Sequence, residues 1–458
     1  MINLAQALRL ESMPRLALVG AGGKTTSLFQ LSRLLPPPII VTTTTHFGIW
    51  QVGMADRHIR IHNINDLPSL LDEALEGVIL VTGDVVREDR ISGLSLKEVD
   101  KLNSVLDRRK LPLLIEADGS HQKPLKAPAE HEPVIPSFTN IVMVVAGLSG
   151  LGKPINDQWV HRSQRFIELS GSRDGEIITP GVLGNVLLHP EGGLKGVPPV
   201  ARCVILLNQV DTIDLRRSAG ELATKLLSAY QAVIVASLNP PDATRSPTIY
   251  ETYERVAGIV LAAGGGRRFA QSGRDIPKQL LNWEGMPLVR HVTLCAFQAG
   301  LSPVVLVTGA NAPDVQAAIR DLPVKIVHNP SWESGQSSSL KAGLDTLPLG
   351  IGSAVFLLAD QPQVTPDLVR LLVEKHSQTL APMVAPLVEG KRANPILFDQ
   401  VTFSTLLTIS GDVGGRALFD PNSKYQVAWV PWDDPDLLMD VDTESDYQVL
   451  LSRKAHFQ

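Results

Sequence analysis

The sequence predicts an α/β protein of two domains, each built on a mainly parallel sheet covered by helices. Three observations carry that expectation. The chain has 458 residues, more than one ordinary core organises, so two domains of roughly 200–250 residues are the natural division. An apolar run leading into a glycine turn and a cationic residue occurs twice, from Arg15 to Lys24 and from Val256 to Lys278. After each, strand-length apolar runs alternate with segments of helical spacing, the pattern of parallel strands joined by helices.

Composition narrows the function classes. Hydrophobic residues make up 44% and charged residues 19% of the chain, a soluble globular profile. The net charge of −5 and the lack of a basic block or an aromatic-rich basic stripe argue against a nucleic-acid partner. Cys203 and Cys295 are the only cysteines, each inside an apolar run, so no disulfide framework or thiolate metal cluster is expected. No apolar run reaches the ~18 residues that span a bilayer. The first residues, MINLAQALRLESMPRLALVG, lack the apolar core and cleavage site of an export signal. A cytoplasmic protein with no membrane partner is the expectation.

Residues 1–240 form the first expected domain, 241–254 a linker rich in Pro, Thr and Ser, and 255–458 the second domain. In the first, RLALVG (Arg15–Gly20) reads as a strand. It feeds AGGKTT and then a segment with Leu28, Leu31, Leu34 and Leu35 at helical spacing. Strand, glycine turn, lysine, hydroxyl and helix make a P-loop-like arrangement, in which backbone N–H groups and a helix N-terminus face a phosphate. Gly20, Gly22 and Gly23 would let the backbone approach the anion. Lys24 would reach terminal phosphates, and Thr25 with Thr26 would offer hydroxyls to phosphate or Mg²⁺. The spacing departs from the full motif, because the position six before the lysine is Leu18.

Leu111–Ile115 is a further strand, delivering Glu116 and Asp118 at its C-terminal end, where ligands of open α/β sheets bind. These carboxylates would hold Mg²⁺ or, alternatively, cap a helix. Cys203–Leu207 leads into Asn208-Gln209-Val210-Asp211, which has glutamine where a guanine-reading Asn-Lys-x-Asp has lysine. KTT, TTTTH (Thr42–His46), the block EADGSHQKPLKAPAEHEPVIP (Glu116–Pro136), GLSGLGKPINDQWVHR (Gly147–Arg162) and GGLKGVPP (Gly192–Pro199) together resemble the YqeC family. The resemblance spans nearly all of residues 10–240. It implies an accessory factor for selenium-dependent molybdenum hydroxylases, with an apo-hydroxylase as a partner. In the Glu116–Pro136 block, His121, Lys123, Lys126, His131 and Glu132 could meet an anionic substrate or form a solvated loop.

In the second domain Val256–Ala263 reads as a buried strand, followed by Gly264, Gly265 and Gly266, then Arg267 and Arg268, then Lys278. A glycine turn lets N–H groups approach phosphates, and the cations would neutralise a triphosphate. Val304–Thr308 and Val355–Ala359 are two more strands, with helical segments at Asp314–Arg320 and Ser337–Leu347. Asp360 follows one strand and Asp442 sits in a second acidic run, a carboxylate pair able to hold one Mg²⁺ at a triphosphate.

LAAGGGRR (Leu261–Arg268), PKQLL (Pro277–Leu281), SGQSSSLKAGL (Ser334–Leu344), LLADQP (Leu357–Pro362), RANPILF (Arg392–Phe398), GDVGGRALF (Gly411–Phe419) and DVDTESDY (Asp440–Tyr447) occur in one order. They resemble the molybdenum cofactor nucleotidyltransferases, in particular the cytidylyltransferase branch, over residues 256–450. The resemblance implies a Rossmann-like nucleotidyltransferase fold. It also implies transfer of a cytidine monophosphate unit from CTP to the terminal phosphate of a molybdopterin-type cofactor, with Mg²⁺ and release of diphosphate. By the same resemblance Leu261, Ala263, Gly264, Gly265 and Gly266 form the loop around base and phosphates, and Arg268 and Lys278 lie on the triphosphate. Asp360 is a metal ligand and Asp442 a second one. Gln336, Ser337 and Ser338, in the run Gln336–Ser339, lie beside the nucleotide. Asn394 and the Gly411–Arg416 loop, with Gly411, Asp412 and Arg416, face the acceptor. The insert Gln271–Pro277 before the lysine resembles the cytidylyltransferases of isoprenoid synthesis. A sugar phosphate or methylerythritol phosphate is therefore an alternative acceptor, and a non-catalytic cofactor carrier is the alternative outside enzymes.

Overall fold

The computed structural model describes residues 2–63, 65, 75–240, 242, 246–266, 269 and 276–452. The chain divides into two compact units, Met1–Tyr253 and Glu254–Gln458.

In the N-terminal unit eight strands form a parallel sheet: β1 (Arg15–Gly20), β2 (Ile39–Thr43), β3 (Arg57–Arg60), β4 (Val78–Thr82), β5 (Leu113–Glu116), β6 (Ile141–Gly147), β7 (Arg202–Asn208) and β8 (Ala232–Ser237), in the order β3-β4-β2-β5-β1-β6-β7-β8. The strands read as continuous apolar runs because both faces are covered. Along β1 the side chains alternate between two cores, with Leu16 and Leu18 in one and Ala17 and Val19 in the other. Helix α1 (Lys24–Leu34) leaves the glycine turn after β1, and α2 (Leu96–Arg109) opens with a capping box of Ser95 and Glu98. A small antiparallel ribbon of Phe47–Gly48, Val85–Arg87 and Arg90–Ile91 stands apart from the sheet.

The C-terminal unit is organised on β9 (Thr248–Ala262, from Glu254 onward in this unit), β10 (Val304–Thr308), β11 (Lys325–His328), β12 (Ile351–Leu358), β13 (Met383–Val388), β14 (Ile396–Asp399) and β15 (Val427–Pro431). Their order is β11-β10-β9-β12-β14-β13-β15. Pairs to β14 are antiparallel and the others along this path are parallel. Val260 and Ala262 face one core, Ala257 and Ile259 the other. Helices α3 (Leu288–Gln298), α4 (Ala312–Ala317), α5 (Gln336–Leu344) and α6 (Pro366–Thr379) accompany the strands. The mainly parallel α/β architecture expected from the sequence is present in both units.

One local expectation differs. The stretch expected as linker, 241–254, contains the start of β9 at Thr248. Thr-Ile-Tyr-Glu-Thr-Tyr-Glu is rich in β-branched and aromatic residues, and Glu251, Thr252 and Glu254 are buried, which favours a strand over a loop. Among the described residues no helix is long and apolar enough to cross a membrane.

Candidate functional site

In the N-terminal unit the loop after β1 sets the geometry. Gly22 has φ +83°, and an added Cβ would lie 2.4 Å from the Gly147 backbone nitrogen, so only glycine fits that turn. The loop leads into α1, whose N-cap Gly23 offers no side chain to its free N–H groups. Lys24 is the first helical residue and is 3% exposed. Its Nζ donates to the Gly20 carbonyl at 2.6 Å and pairs with Asp118 at 3.2 Å and Glu116 at 4.0 Å. Asp118 also accepts from the Gly20 N–H and from Lys126 at 2.7 Å. Lys126 continues to Glu132 at 2.8 Å, and Glu132 takes a two-pronged contact from Arg162 at 2.8 and 2.9 Å. The result is a buried relay of alternating charge.

These partners set the titration of the carboxyls. Burial pushes the Glu116 carboxyl up, against the lowering pull of Lys24 and of the Thr25 hydroxyl, which donates to it at 2.8 Å. Burial also opposes ionisation of Glu132, but Arg162 and Lys126 outweigh it and hold the group down at about 2. His161, stacked on His121 with ring centroids 4.4 Å apart, is lowered to about 4 by burial and by the nearby Arg162 and His121.

A cleft of ≈ 790 Å³ opens over this loop, and Gly23, Lys24, Thr25, Thr26 and Glu116 all line it. Asp118 does not; it lies beneath, in the ion-pair relay and beside a separate small cavity. Asn208, 2% exposed, donates to the Gly22 carbonyl and accepts from Leu238 N–H, while Asp211 accepts from Ser237. These residues brace the loop from behind.

In the C-terminal unit a cleft of ≈ 440 Å³ opens where β9 and β12 end. Leu261, Ala263, Gly264, Gly265 and Gly266 form one part of its lining, and Lys278, Asp360 and Asp442 another. Lys278 Nζ lies 2.6 Å from Asp360 Oδ2 and 2.8 Å from Asp442 Oδ1. Burial disfavours its charged form, yet Asp360 and Asp442 outweigh that and hold the ammonium above its ordinary pKa. Asp440 is raised by burial and by the nearness of Asp360, and it accepts from the Gln361 amide. Gly335 has φ +104°, and an added Cβ would lie 2.5 Å from Asp412 Oδ1. That glycine seats the kinked segment Gly411–Phe419 against the start of α5.

The family models match in the order of the two units. Residues 16–164 match the YqeC protein family and residues 258–427 the MobA-like NTP transferase domain. The protein YqeC of Escherichia coli (strain K12) is 31% identical over 217 residues, covering 46% of this chain and 82% of that protein. The chain is a YqeC-family protein joined to a MobA-like NTP transferase domain. Nicotine blue oxidoreductase of Paenarthrobacter nicotinovorans is 32% identical over 203 residues, covering 43% of this chain and 96% of that protein. A crystal structure of Rv0371c from Mycobacterium tuberculosis H37Rv is 28% identical, covering 43% of this chain and 98% of that one, with a TM-score of 0.39. The second half of the chain is thus a nucleotidyltransferase.

Within the transferase domain several expected residues fall elsewhere. Gln336 lines the nucleotide cleft, but its companions on the lining are Gly335 and Ser339; Ser337 and Ser338 are not on it. The cause is helical register, since 336 and 339 share a face of α5 and the two residues between them do not. Ser338 Oγ instead donates to the Ser331 and Gly335 carbonyls. Asp412 lines the nucleotide cleft, whereas Asn394 and Arg416 line a smaller cavity of ≈ 40 Å³. That cavity shares Leu261, Gln336 and Leu358 with the nucleotide cleft, and Gly411 lines neither. Arg268 lies outside the described residues.

Two residues of the transferase domain carry more than the sequence signalled. Gln279, 4% exposed, donates through Nε2 to the carbonyls of Gly264 at 2.5 Å and Ala262 at 3.4 Å, clamping the glycine loop. Its place beside Lys278 in Pro-Lys-Gln was the available signal. Arg392 lies over the Phe419 ring at 4.4 Å, and burial and the neighbouring Arg416 lower its pKa. In the YqeC region the missed residues are Arg162 and His161, which reach the cleft from a strand and turn far along the chain.

Proposed function

We propose that the transferase domain joins a cytidine monophosphate unit from CTP to the terminal phosphate of a molybdopterin-type cofactor, releasing diphosphate. The YqeC region is read as a nucleotide-binding accessory domain for maturation of molybdenum hydroxylases, selenium-dependent ones included, with an apo-hydroxylase as partner. The observation that carries the reading is the Lys278–Asp360–Asp442 cluster at 2.6 and 2.8 Å on the lining of a glycine-loop cleft. Two buried, unpaired cysteines, both pushed up to about 12 by burial, fit a cytoplasmic setting.

The chemistry needs position and charge rather than a protein nucleophile. The glycine loop Gly264–Gly266 presents backbone N–H groups to the phosphates, and Gln279 fixes that loop. The acceptor phosphate, held by Asn394 and Arg416, attacks the α-phosphorus of CTP. The bond from that phosphorus to the bridging oxygen breaks, and diphosphate leaves with the electron pair. Lys278 offsets charge on the leaving group. Asp360 and Asp442 converge on one cation, which the Lys278 ammonium supplies in this structure; two carboxylates open to the cleft suit Mg²⁺, which takes few protein oxygens and shares its shell with substrate phosphates. Bound there, Mg²⁺ would neutralise phosphate oxygens. In the YqeC region Gly20, Gly22, Gly23, Lys24, Thr25 and Thr26 are read as the phosphate site. Glu116, which faces the cleft, is the carboxylate suited to a cation there, and Asp118 orients Lys24.

The test is diphosphate release from CTP, GTP and ATP, with and without molybdopterin, alongside a check for NAD(P)H consumption. Diphosphate from CTP only when molybdopterin is present supports the reading. Preference for GTP, release with methylerythritol phosphate instead, or a redox reaction without diphosphate would overturn it.

A further inference from the structure

The cleft of the YqeC region is built for more than one ligand. At ≈ 790 Å³ it is far roomier than the ≈ 440 Å³ cleft of the transferase domain. Its lining includes three chemically distinct parts. One is the phosphate loop with Glu116. A second is Trp50, 55% exposed, with the Arg90 guanidinium over its ring at 5.5 Å, a surface suited to a nucleobase. Neither part uses the third, which comprises His121, Gln122, His131, His161 and Arg162, with Glu132 on the lining beside Arg162.

That third part is held in a costly conformation. His121, Gln122 and Arg162 have φ values of +51°, +62° and +64°, in the left-handed region that side chains disfavour. His121 is stacked on His161 with an interplanar angle of 19°, and Arg162 is fixed by its two-pronged contact to Glu132 and by the Ala127 carbonyl. A guanidinium carries five N–H donors, and three serve these contacts. His161, kept neutral above about pH 4, packs under His121 without adding a charge.

We propose that this cleft transfers the terminal phosphoryl group of a nucleoside triphosphate to an anionic oxygen acceptor held by His121 and Arg162. The inference rests on the reading of Gly20–Thr26 as a nucleotide site. The acceptor oxyanion attacks the γ-phosphorus, the bond from that phosphorus to the β–γ bridging oxygen breaks, and the nucleoside diphosphate leaves with the electron pair. The acceptor is already anionic, so no proton has to be removed from it. Lys24, on the lining of the cleft, would offset charge on the leaving diphosphate.

The test uses the full chain carrying Asp360→Asn, so that diphosphate release in the transferase domain is silenced. A β,γ-imido analogue of ATP or GTP is titrated first, and inorganic phosphate, standing in for the acceptor, is titrated into the analogue-loaded chain. Lys24→Ala should weaken the analogue at least tenfold. His121→Ala and Arg162→Gln should each weaken phosphate at least tenfold while changing analogue affinity less than twofold, and Arg162→Lys should recover part of the loss. With the hydrolysable nucleotide and inorganic phosphate as acceptor the products should be nucleoside diphosphate and diphosphate. Analogue binding that ignores Lys24→Ala would overturn the nucleotide reading beneath the proposal. Lys24-dependent binding without nucleoside diphosphate formation, or phosphate binding untouched by His121→Ala, would overturn the proposal alone.

Discussion

The two clefts use the same opening, a central strand that ends in a glycine loop, yet they hold their lysines in opposite ways. Lys24 sits four residues from the Gly20 carbonyl it donates to and is sealed in a relay through Asp118, Lys126, Glu132 and Arg162. Lys278 is placed by carboxylates 82 and 164 residues away, on segments that come together only at the cleft. The side chains of Asp360 and Asp442 are 21% and 31% exposed, against 2% for Asp118. A sealed relay is part of what holds its unit together. An open cluster can be rearranged by a polyanion, which suits a site that must exchange one cation partner for phosphates.

The largest expected effect follows for Asp360→Ala. Diphosphate release should fall by about 10³-fold, the scale of removing one preorganised charge-stabilising group, while the thermal midpoint moves little because the carboxylate is partly solvated. Turnover near the parent level would remove Asp360 from the chemistry. Asp118→Asn should show the reverse balance. It strips the charge that Lys24 and Lys126 share, and a broken buried pair costs roughly 3–5 kcal/mol. Urea unfolding of the full chain should therefore lose the N-terminal transition first, with diphosphate release from CTP retained at low denaturant. An unchanged unfolding profile would mean that the relay is not structural.

What the sequence made legible in these sites follows the same divide. The strands that open both glycine loops, the loops themselves, Lys24, Lys278, Asp360 and Asp442 were readable because each sits at a strand end or turn with its own local pattern. The pairing of Lys278 with two aspartates was not, since nothing local encodes a contact across 164 residues. Within the run Gln336–Ser339, three consecutive serines hide which one the helical register turns to the cleft, and it is Ser339. Thr248–Glu254 read as linker because its proline-rich approach outweighed the β-branched and aromatic residues that make it strand.

The pH response separates the two units further. The Glu132 carboxyl titrates at about 2 in the folded chain against an ordinary 4.5, so the unfolded state takes up the proton first as pH falls. Its stabilising share is complete above pH 4.5 and is lost on the way down to about 2, up to roughly 3 kcal/mol by linkage. His161, at about 4 against 6.5, acts in the same direction from pH 6.5 downward. Denaturation midpoints of the N-terminal transition should therefore fall steadily below pH 6.5, and Glu132→Gln should flatten the limb below 4.5. A limb as steep in Glu132→Gln as in the parent would place the acid sensitivity elsewhere.

The smallest effect concerns the loop that the open cluster faces. Gln279 donates to the carbonyls of Gly264 and Ala262, and those two acceptors fix which end of its amide is nitrogen. Its Oε1 is buried with no hydrogen-bond partner among the described residues, a cost tolerated only where the two donated bonds matter. Gln279→Ala frees the loop without touching Lys278, Asp360 or Asp442. The KM for CTP should rise about tenfold, or about 1.4 kcal/mol, with kcat within threefold, because the loop's N–H groups hold the nucleotide equally before and during transfer. Gln279→Glu, which keeps size but loses the donor, should be no better than alanine. If glutamate restored the parent KM, volume rather than the donated bonds would be holding the loop, and the transferase cleft would share the sealed character of the N-terminal one.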